Sequence, residues 1–259
     1  MSGIVYRNLL LAHLGEEDLR LLEPFEPIDV DLRFSIEKAG KPITHVYFPE
    51  SAVASVVLQA GSSGLAVEMG VTGLDGMTGL PLLYGDDRSA METFIQIPGR
   101  MSRITTKRFV TAIESSFKLK AFFLRYARTV HDQIASTAAA NAAGDIEHRL
   151  ARWLLMCQDR LGNDHIHLSH DFLAIMLGIR RPSVTDAIHR LEGRHMIRSL
   201  RMDLQILDRS GLQALCRGLY GYAEREYERI MGFPLPTSQP QLSGDQMTEC
   251  GNPVRGTPI

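Results

Sequence analysis

The chain has 259 residues, of which 44% are hydrophobic and 22% are charged, so it can bury the cores of two ordinary domains. Its formal net charge is −2, and DNA binding would therefore require positive charge gathered on one face. The sequence contains no apolar run of 18 residues, no signal peptide and no paired cysteine spacing at Cys157, Cys216 or Cys250, which predicts a soluble protein of the reducing cytoplasm without metal or disulfide framework.

Residues 1–115 are predicted to form an N-terminal β-rich domain. After a short helix over residues 8–24, strand-like runs recur about every ten residues between glycine turns, which is typical of a jelly-roll or β-roll. The predicted runs are 25–31, 45–48, 52–59, 65–71, 93–96 and 100–105.

A helical stretch follows, and residues 116–143 are predicted to form a long dimerisation helix. Some of its apolar side chains recur every seven residues, which is typical of a seam between two helices. The alternative is that this stripe covers the chain's own β domain. The seam consists of Phe123, Ala127, Val130, Ile134 and Thr137.

Another helix is expected from Asp145 to Arg160, with Gly144 as a hinge before it. One face of this helix is apolar and would seat the module that follows it. That face carries Ile146, Leu150, Trp153, Leu154 and Cys157.

Residues 169–191 predict two short helices joined by a tight turn. Ser169 is suited to cap the first helix, and Gly178 can adopt the left-handed backbone at which a helix reverses. Pro182 falls in the first turn of the second helix, where its missing N–H costs nothing. The second helix buries one face, formed by Val184, Ala187, Ile188 and Leu191.

The start of that second helix suits the major groove of DNA, because it carries two guanidinium groups and a hydroxyl. Residues 180–201 contain six arginines against two acidic residues. The alternative is an all-α module that binds nothing. The candidate DNA-contacting residues are Ser169, Arg180, Arg181, Ser183, Thr185, Asp186, His189, Arg198 and Arg201.

Residues 197–207 predict two short strands with a turn near residues 201–203. A hairpin in this place would complete a winged helix-turn-helix domain over residues 144–217, and it would bring Arg198 and Arg201 beside backbone phosphates. Residues 218–259 are predicted to be a closing helix near 220–227 followed by a disordered tail after Gly232, because the tail is rich in Pro, Gly, Ser and Gln.

This order of elements resembles the Crp–Fnr family of bacterial transcription regulators over roughly residues 8–217. The most specific matches are residues 145–151, DIEHRLA, and the Leu173-Ala174 and Leu177-Gly178 pairs together with Arg181. The resemblance implies an α+β fold made of a β-roll, a long helix and a winged helix-turn-helix. It also implies a homodimeric transcription regulator that reads a near-palindromic site, with RNA polymerase as a candidate partner.

The resemblance further implies an effector pocket at Gly79, Leu80, Arg88 and Ser89. Members of the family that bind cyclic nucleotides have a Glu where this chain has Leu80, and leucine cannot accept a hydrogen bond from ribose. Asp86 and Asp87 stand beside Arg88 and would oppose a phosphate, and either could instead pair with that arginine. An iron–sulfur cluster is disfavoured because Cys157 is the first cysteine. We therefore predict no cofactor.

The alternative function is a ligand-binding protein or metal-dependent enzyme that uses the β-roll, with a purely structural helix-turn-helix. His165, His167 and His170 lie close together and could hold a metal, but they are more typical of the loop and strand before the helix-turn-helix. The sequence contains no catalytic triad order, P-loop or zinc-protease motif. The prediction is a non-enzymatic regulator.

Overall fold

The computed structural model describes residues 5–60, 65–168, 170–200 and 203–236. It confirms the predicted α+β class: a strand-rich N-terminal part, a long helix, and a C-terminal part that contains a helix-turn-helix and a small sheet. In the described ranges we find no helix whose length and apolar character would let it cross a bilayer.

The N-terminal part contains two short helices, α1 (Leu9–Ala12) and α2 (Glu16–Leu22), followed by two antiparallel sheets. The first sheet has the order β1-β7-β3, and the second has the order β2-β6-β4-β5. Side chains from both sheets form one small core, which includes Val30, Tyr47, Ala54, Ile95 and Met101. The strands are β1 (Glu26–Val30), β2 (Ser35–Glu37), β3 (His45–Pro49), β4 (Val53–Ala60), β5 (Leu65–Thr72), β6 (Glu92–Ile97) and β7 (Gly99–Thr105).

Between β5 and β6 the chain forms a 3-10 helix, Leu80–Tyr84. It starts after Gly79, whose φ of 81° lies in the left-handed region that glycine adopts without strain. After β7, α3 (Thr106–Ser115) leads into α4 (Phe117–Ala143), which has 27 residues and is therefore about 40 Å long. Thr105 and Ser116 cap these two helices through their side chains.

The seam predicted for dimerisation faces the chain's own β-roll, so that prediction is wrong. Phe123 and Ala127 are buried in a core with Phe48, and Val130 packs against the same core. Ile134 lines a cavity described below, and the hydroxyl of Thr137 donates to the carbonyl of Gln133 at 2.9 Å. The apolar stripe of α4 covers its own domain because that domain leaves a hydrophobic surface for it to bury. The alternative interpretation of the stripe is the correct one.

The C-terminal part begins with α5 (Ile146–Leu161), which is capped by the carboxylate of Asp145. The helices α6 (His170–Leu177), α7 (Arg181–Gly193) and α8 (Arg209–Leu215) follow, with strands β8 (His165–Ile166), β9 (Ile197–Leu200) and β10 (Asp203–Ile206) among them. Four of the five residues predicted for the apolar face of α5 are buried, and Ile146 is partly buried. This core continues into the β-roll through Val53, Val71 and Ile97.

Buried polar groups also join α5 to the β-roll. The guanidinium of Arg160 lies 3.1 Å from the carboxylate of Asp75, and its Nε donates to the carbonyl of Val71 at 3.0 Å. The indole N–H of Trp153 donates to Glu68 at 2.9 Å. Both parts of the molecule are therefore held in one relative orientation by an apolar core and by directional polar contacts.

The last described segment was predicted to be disordered after Gly232, and this is wrong for its first residues. Helix α9 (Tyr222–Met231) packs along α4, and the following Phe233 and Leu235 are buried among residues of the N-terminal core. The hydroxyl of Tyr227 donates to the carbonyl of Asp75 at 2.8 Å. Two apolar side chains in a proline-rich stretch are enough to anchor it when a hydrophobic groove is available. Residues 237–259 of the predicted tail lie outside the described residues.

Candidate nucleic-acid interface

The helix-turn-helix consists of α6, a tight turn and α7. Gly178 has a φ of 61°, which lies in the left-handed region, and its N–H donates to the carbonyl of Ile175 at 3.1 Å. The N–H of Ile179 donates to Ala174 at 3.0 Å and closes the turn. The glycine predicted to reverse the chain does so, since side chains rarely adopt that backbone conformation.

Helix α7 is anchored by the four residues predicted for its buried face. Val184, Ala187, Ile188 and Leu191 are fully buried. They pack with residues of α5 and α6 in one core, which holds the helix rigidly on the module. Ile175 of α6 lies outside this core and is 41% exposed.

The first turn of α7 presents cationic and polar groups to solvent. Arg180 stands at the N-cap in an extended conformation, and Pro182 occupies the first turn. Arg180 and Arg181 are exposed, while Ser183 and Thr185 are half-buried. Asp186 and His189 are exposed further along the helix. Six of the residues predicted to contact DNA, from Arg180 to His189, therefore lie at the start or along the outer side of one well-anchored helix.

Two arginines of the basic stretch already have an acidic partner. Arg190 forms a short contact with Glu147 of α5, and the guanidinium of Arg194 lies 3.2 Å from the same carboxylate. Each of these arginine side chains is about half exposed. The positive charge of the stretch is therefore lower around Arg190 and Arg194 than the residue count suggests.

The predicted wing is an antiparallel pair formed by β9 and β10, with β8 as a third strand on the other side of β10. Leu200 pairs with Asp203 at the tip, and Ile197 pairs with Ile206 at the base. Arg198 is exposed on β9. Arg201, which follows β9 in the sequence, and Ser169, which precedes α6, lie outside the described residues. His165, on β8, contacts Asp203 at 2.9 Å through Nδ1.

The predicted effector residues separate into two groups. Gly79, Leu80 and Ser89 line a cavity of about 140 Å³ between the second sheet, the 3-10 helix and α4. Arg88 does not line this cavity: it pairs with Asp87 at 3.5 Å and donates to the carbonyl of Gly40 at 3.0 Å on the surface. The effector role predicted for Arg88 is thus wrong, and the alternative of a surface ion pair is correct.

Most of the other lining residues were missed by sequence analysis, and among them are the polar or aromatic residues Glu37, Tyr84, His131 and Gln133. These four come from three separate segments of the chain, and no local spacing joins them. Glu37 is buried and accepts a hydrogen bond from the N–H of Gly79 at 2.7 Å. Burial raises the pKa of this carboxyl, although hydrogen bonds from Gly79, Ser89 and Thr93 act in the opposite direction.

Comparisons with known proteins agree with this architecture. Residues 148–215 match the family of the Crp-like helix-turn-helix domain. No curated protein is similar enough to the chain to count as a relative. Among solved structures, FixK2 from Bradyrhizobium japonicum is 14% identical with a TM-score of 0.64, and the match covers 74% of this chain and 98% of FixK2.

Two further solved structures have a similar fold. A putative transcriptional regulator of the Crp/Fnr family from Eubacterium rectale is 15% identical with a TM-score of 0.61, over 82% of this chain and 99% of the other. The c-di-GMP-responsive global regulator CLP from Xanthomonas campestris is also 15% identical, with a TM-score of 0.55, over 74% of this chain and 99% of CLP. The chain therefore has a Crp-like helix-turn-helix domain and the fold of the Crp/Fnr transcription regulators.

Proposed function

We propose that the chain is a cytoplasmic, non-enzymatic transcription regulator that binds a specific, near-palindromic DNA site as a homodimer. The observation that carries the proposal is the build of α7. Its inner face is fixed by fully buried side chains, and its first turn exposes Arg180 and Arg181. A rigid helix with exposed arginines at its start can enter the major groove.

Within this proposal each group has a separate task. Arg180 or Arg181 pairs with the O6 and N7 atoms of guanine, which is the commonest specific contact in the major groove. Ser183 and Thr185 hold phosphates or base edges, and Arg198 of the wing contacts the backbone. RNA polymerase is a candidate partner of the DNA-bound dimer.

The proposed dimer uses a different face of α4 from the one predicted by the sequence. Exposed residues recur every three or four positions along one side of this helix, as a seam between two helices requires. Many of its side chains are apolar or small, so a second copy can approach closely. The face consists of Phe117, Leu124, Arg128, His131, Ala135 and Ala138.

A substitution at the centre of this face tests the dimer. Ala135→Glu places two carboxylates close together across a twofold interface, and like charges there oppose association. We expect the dimer dissociation constant to rise by at least about tenfold, which is about 1.4 kcal/mol. Sedimentation equilibrium measures it. Ala214→Glu, at an exposed position of α8, is the matched control and should leave the dissociation constant unchanged. An Ala135→Glu protein that stays as dimeric as the control would refute this interface.

Selection from random duplexes tests the DNA-binding function. We expect one symmetric sequence to emerge, and Arg181→Ala should then lower affinity for it by about 1–3 kcal/mol, as for loss of a bidentate base contact. Affinity for random DNA should change less. The control is Arg20→Ala, which removes an exposed arginine of α2 paired with Glu16. Recovery of no symmetric sequence would refute the function, and an Arg181→Ala protein with undiminished affinity would refute the role of α7.

A further inference from the structure

The cavity beside α4 has a chemical character that selects its ligand. It is enclosed by three elements: Val56 and Gly70 from the second sheet, Leu80 and Tyr84 from the 3-10 helix, and Ile134 from α4. The exposed surface of its wall is mainly apolar, and the apolar side chains include three methionines, three valines, Leu80 and Ile134. Such a wall favours apolar ligands, because their transfer from water is favourable.

The wall between the sheet and α4 is held by directional contacts. The side chain of Gln133 accepts from the N–H of Val71 at 2.7 Å and donates to its carbonyl at 3.2 Å. A Cβ atom on Gly70 would lie 2.4 Å from the amide oxygen of Gln133, so a larger residue there would displace this amide from its contacts with Val71. Across the cavity, the ring of Tyr84 stacks on His131 with a centroid distance of 6.3 Å. The cavity is thus a defined space whose walls include the helix that carries the proposed dimer face.

The charges around the cavity disfavour an anionic ligand. No lysine or arginine stands among its described lining residues, and Arg88 is held outside by Asp87 and Gly40. The N–H of Gly79, which could otherwise bind an anion at the start of the 3-10 helix, already donates to Glu37. An anion in this space would lie beside a buried carboxyl without a cation to compensate it, and an uncompensated buried charge is costly.

The volume sets the size of the ligand. The cavity measures about 140 Å³. A dry cavity of about 150 Å³ takes one benzene ring, so one ring fills this space. A second, fused ring would extend to its open side, where the lining residues Tyr84 and His131 are exposed. Glu37 offers the buried polar group toward which a single polar atom of the ligand can be directed.

We infer that this cavity binds a small, mainly apolar ring compound that carries no negative charge and directs one polar group at Glu37. Cyclic nucleotides are excluded from it by their charge and by the absence of a polar partner at Leu80. The role of this compound as an effector rests on the proposed function, whereas its binding does not. Because Ile134 and His131 belong to α4, an occupant would contact the proposed dimer helix directly.

The test compares neutral and anionic forms of one ring system by titration calorimetry on the full chain. The probes are indole, neutral indole-3-ethanol, anionic indole-3-acetate and, for comparison, cyclic AMP. We expect both neutral probes to bind at least about tenfold more tightly than indole-3-acetate, and cyclic AMP not to bind. Equal or tighter binding of the anion, or no binding of any indole, would overturn the inference.

Cavity-filling variants locate the binding. Val56→Phe should weaken the binding of indole at least about tenfold by occupying the cavity. Leu58→Phe is its matched control two residues further along β4, where the side chain is exposed, and should bind as the unmodified chain does. Ile134→Phe fills the same space from α4. It replaces Val56→Phe in this test if Val56→Phe does not unfold cooperatively on heating. Unweakened binding in the folded variants would place the probe elsewhere and overturn the inference.

Selection of DNA sites from the same preparation, without probe, keeps the two proposals separate. A preparation that selects a symmetric site but binds no neutral indole refutes only the cavity inference. A preparation that binds indole but selects no site refutes only the regulator function.

Discussion

The helix-turn-helix module contains two sets of arginines, of which one is buried and the other is exposed to solvent. On α5, Arg152 and Arg160 are buried, and Arg160 is paired with Asp75. On α7, Arg180 and Arg181 are exposed at the helix start. Burial of a guanidinium is costly unless its charge is compensated, whereas an exposed one is presented to a ligand at little cost.

This difference shows how one residue type serves two tasks in a single module. The buried arginines make directional contacts: Arg152 donates to the carbonyl of Leu219 at 3.0 Å, and Arg160 donates to that of Val71. These contacts bind α5 to the parts of the chain on either side of it and so set the orientation of α7. The exposed arginines lie at the surface at the start of α7, where phosphates and bases can approach them.

The largest effect is expected from breaking the buried pair. Arg160→Met leaves the carboxylate of Asp75 uncompensated, and both side chains are at most 4% exposed. Loss of one partner of a buried pair typically lowers the free energy of unfolding by about 3–5 kcal/mol. Urea denaturation measures this change. The free energy of unfolding of the variant should fall less at pH 5 than at pH 8. Burial raises the pKa of Asp75, and protonation removes the charge of this carboxylate.

The double variant Asp75→Asn with Arg160→Met separates the charge from the packing. It removes both charges and should recover a large part of the stability lost in Arg160→Met. If the double variant is as unstable as Arg160→Met alone, the aliphatic contacts of Arg160, and not the ion pair, hold α5 in place.

A second prediction concerns an acid near the same junction. Burial raises the pKa of Glu68 from its usual 4.5 to about 7, and hydrogen bonds from Ser55 and Trp153 only partly oppose this. Between these two values the folded chain holds a proton that the unfolded chain has lost. The contribution of Glu68 to stability is thus fully present below pH 4.5 and is lost as the pH rises through 7, by about 3 kcal/mol in total.

Glu68→Gln tests this dependence because glutamine does not titrate. Relative to this variant, the unmodified chain should lose about 3 kcal/mol of unfolding free energy between pH 4.5 and 7.5, measured in urea. Glu228→Gln removes an exposed carboxylate of α9 and controls for the loss of one charge. Parallel stability curves for the unmodified chain and Glu68→Gln would contradict the prediction.

Helix α7 was predictable from sequence because one side of it is buried in a single core. Val184 and Ile188 recur on that side, and the opposite side is largely exposed. On α4 the β-roll and α9 cover different sides, so periodicity alone cannot say which neighbour an apolar residue meets. For this reason Phe123 was predicted to contact a second subunit, although it is buried in its own domain. The exposed Ala135 and Ala138 are only weakly hydrophobic and give almost no periodic signal.

Contacts between distant segments were beyond the reach of sequence analysis. Glu37 meets Gly79 only because β2 lies next to the start of the 3-10 helix in the folded chain. Phe233 and Leu235 stand in a segment whose composition predicts disorder, and only the groove beside α1 and α4 explains their burial. Local patterns report on propensity and amphipathicity, whereas these features depend on tertiary neighbours.

The smallest effect is expected from substituting an arginine that belongs neither to the buried set on α5 nor to the exposed set at the start of α7. Arg190 lies on α7 but already pairs with Glu147, and the pair is partly exposed. Arg190→Ala should therefore change stability by at most about 1 kcal/mol and leave the salt dependence of DNA binding nearly unaltered. Arg198→Ala, which removes an exposed wing arginine, should reduce the slope of log affinity against log salt by about 1.

Glu147→Gln complements Arg190→Ala, because it removes the acidic partner and leaves the arginine in place. It releases both Arg190 and Arg194 from their shared carboxylate, so both guanidinium groups become available for phosphates. DNA affinity at low salt should rise, and the salt slope should steepen. If Arg190→Ala lowers the slope as much as Arg198→Ala does, Arg190 exchanges Glu147 for a phosphate on binding. The exposed set would then extend beyond the first turn of α7.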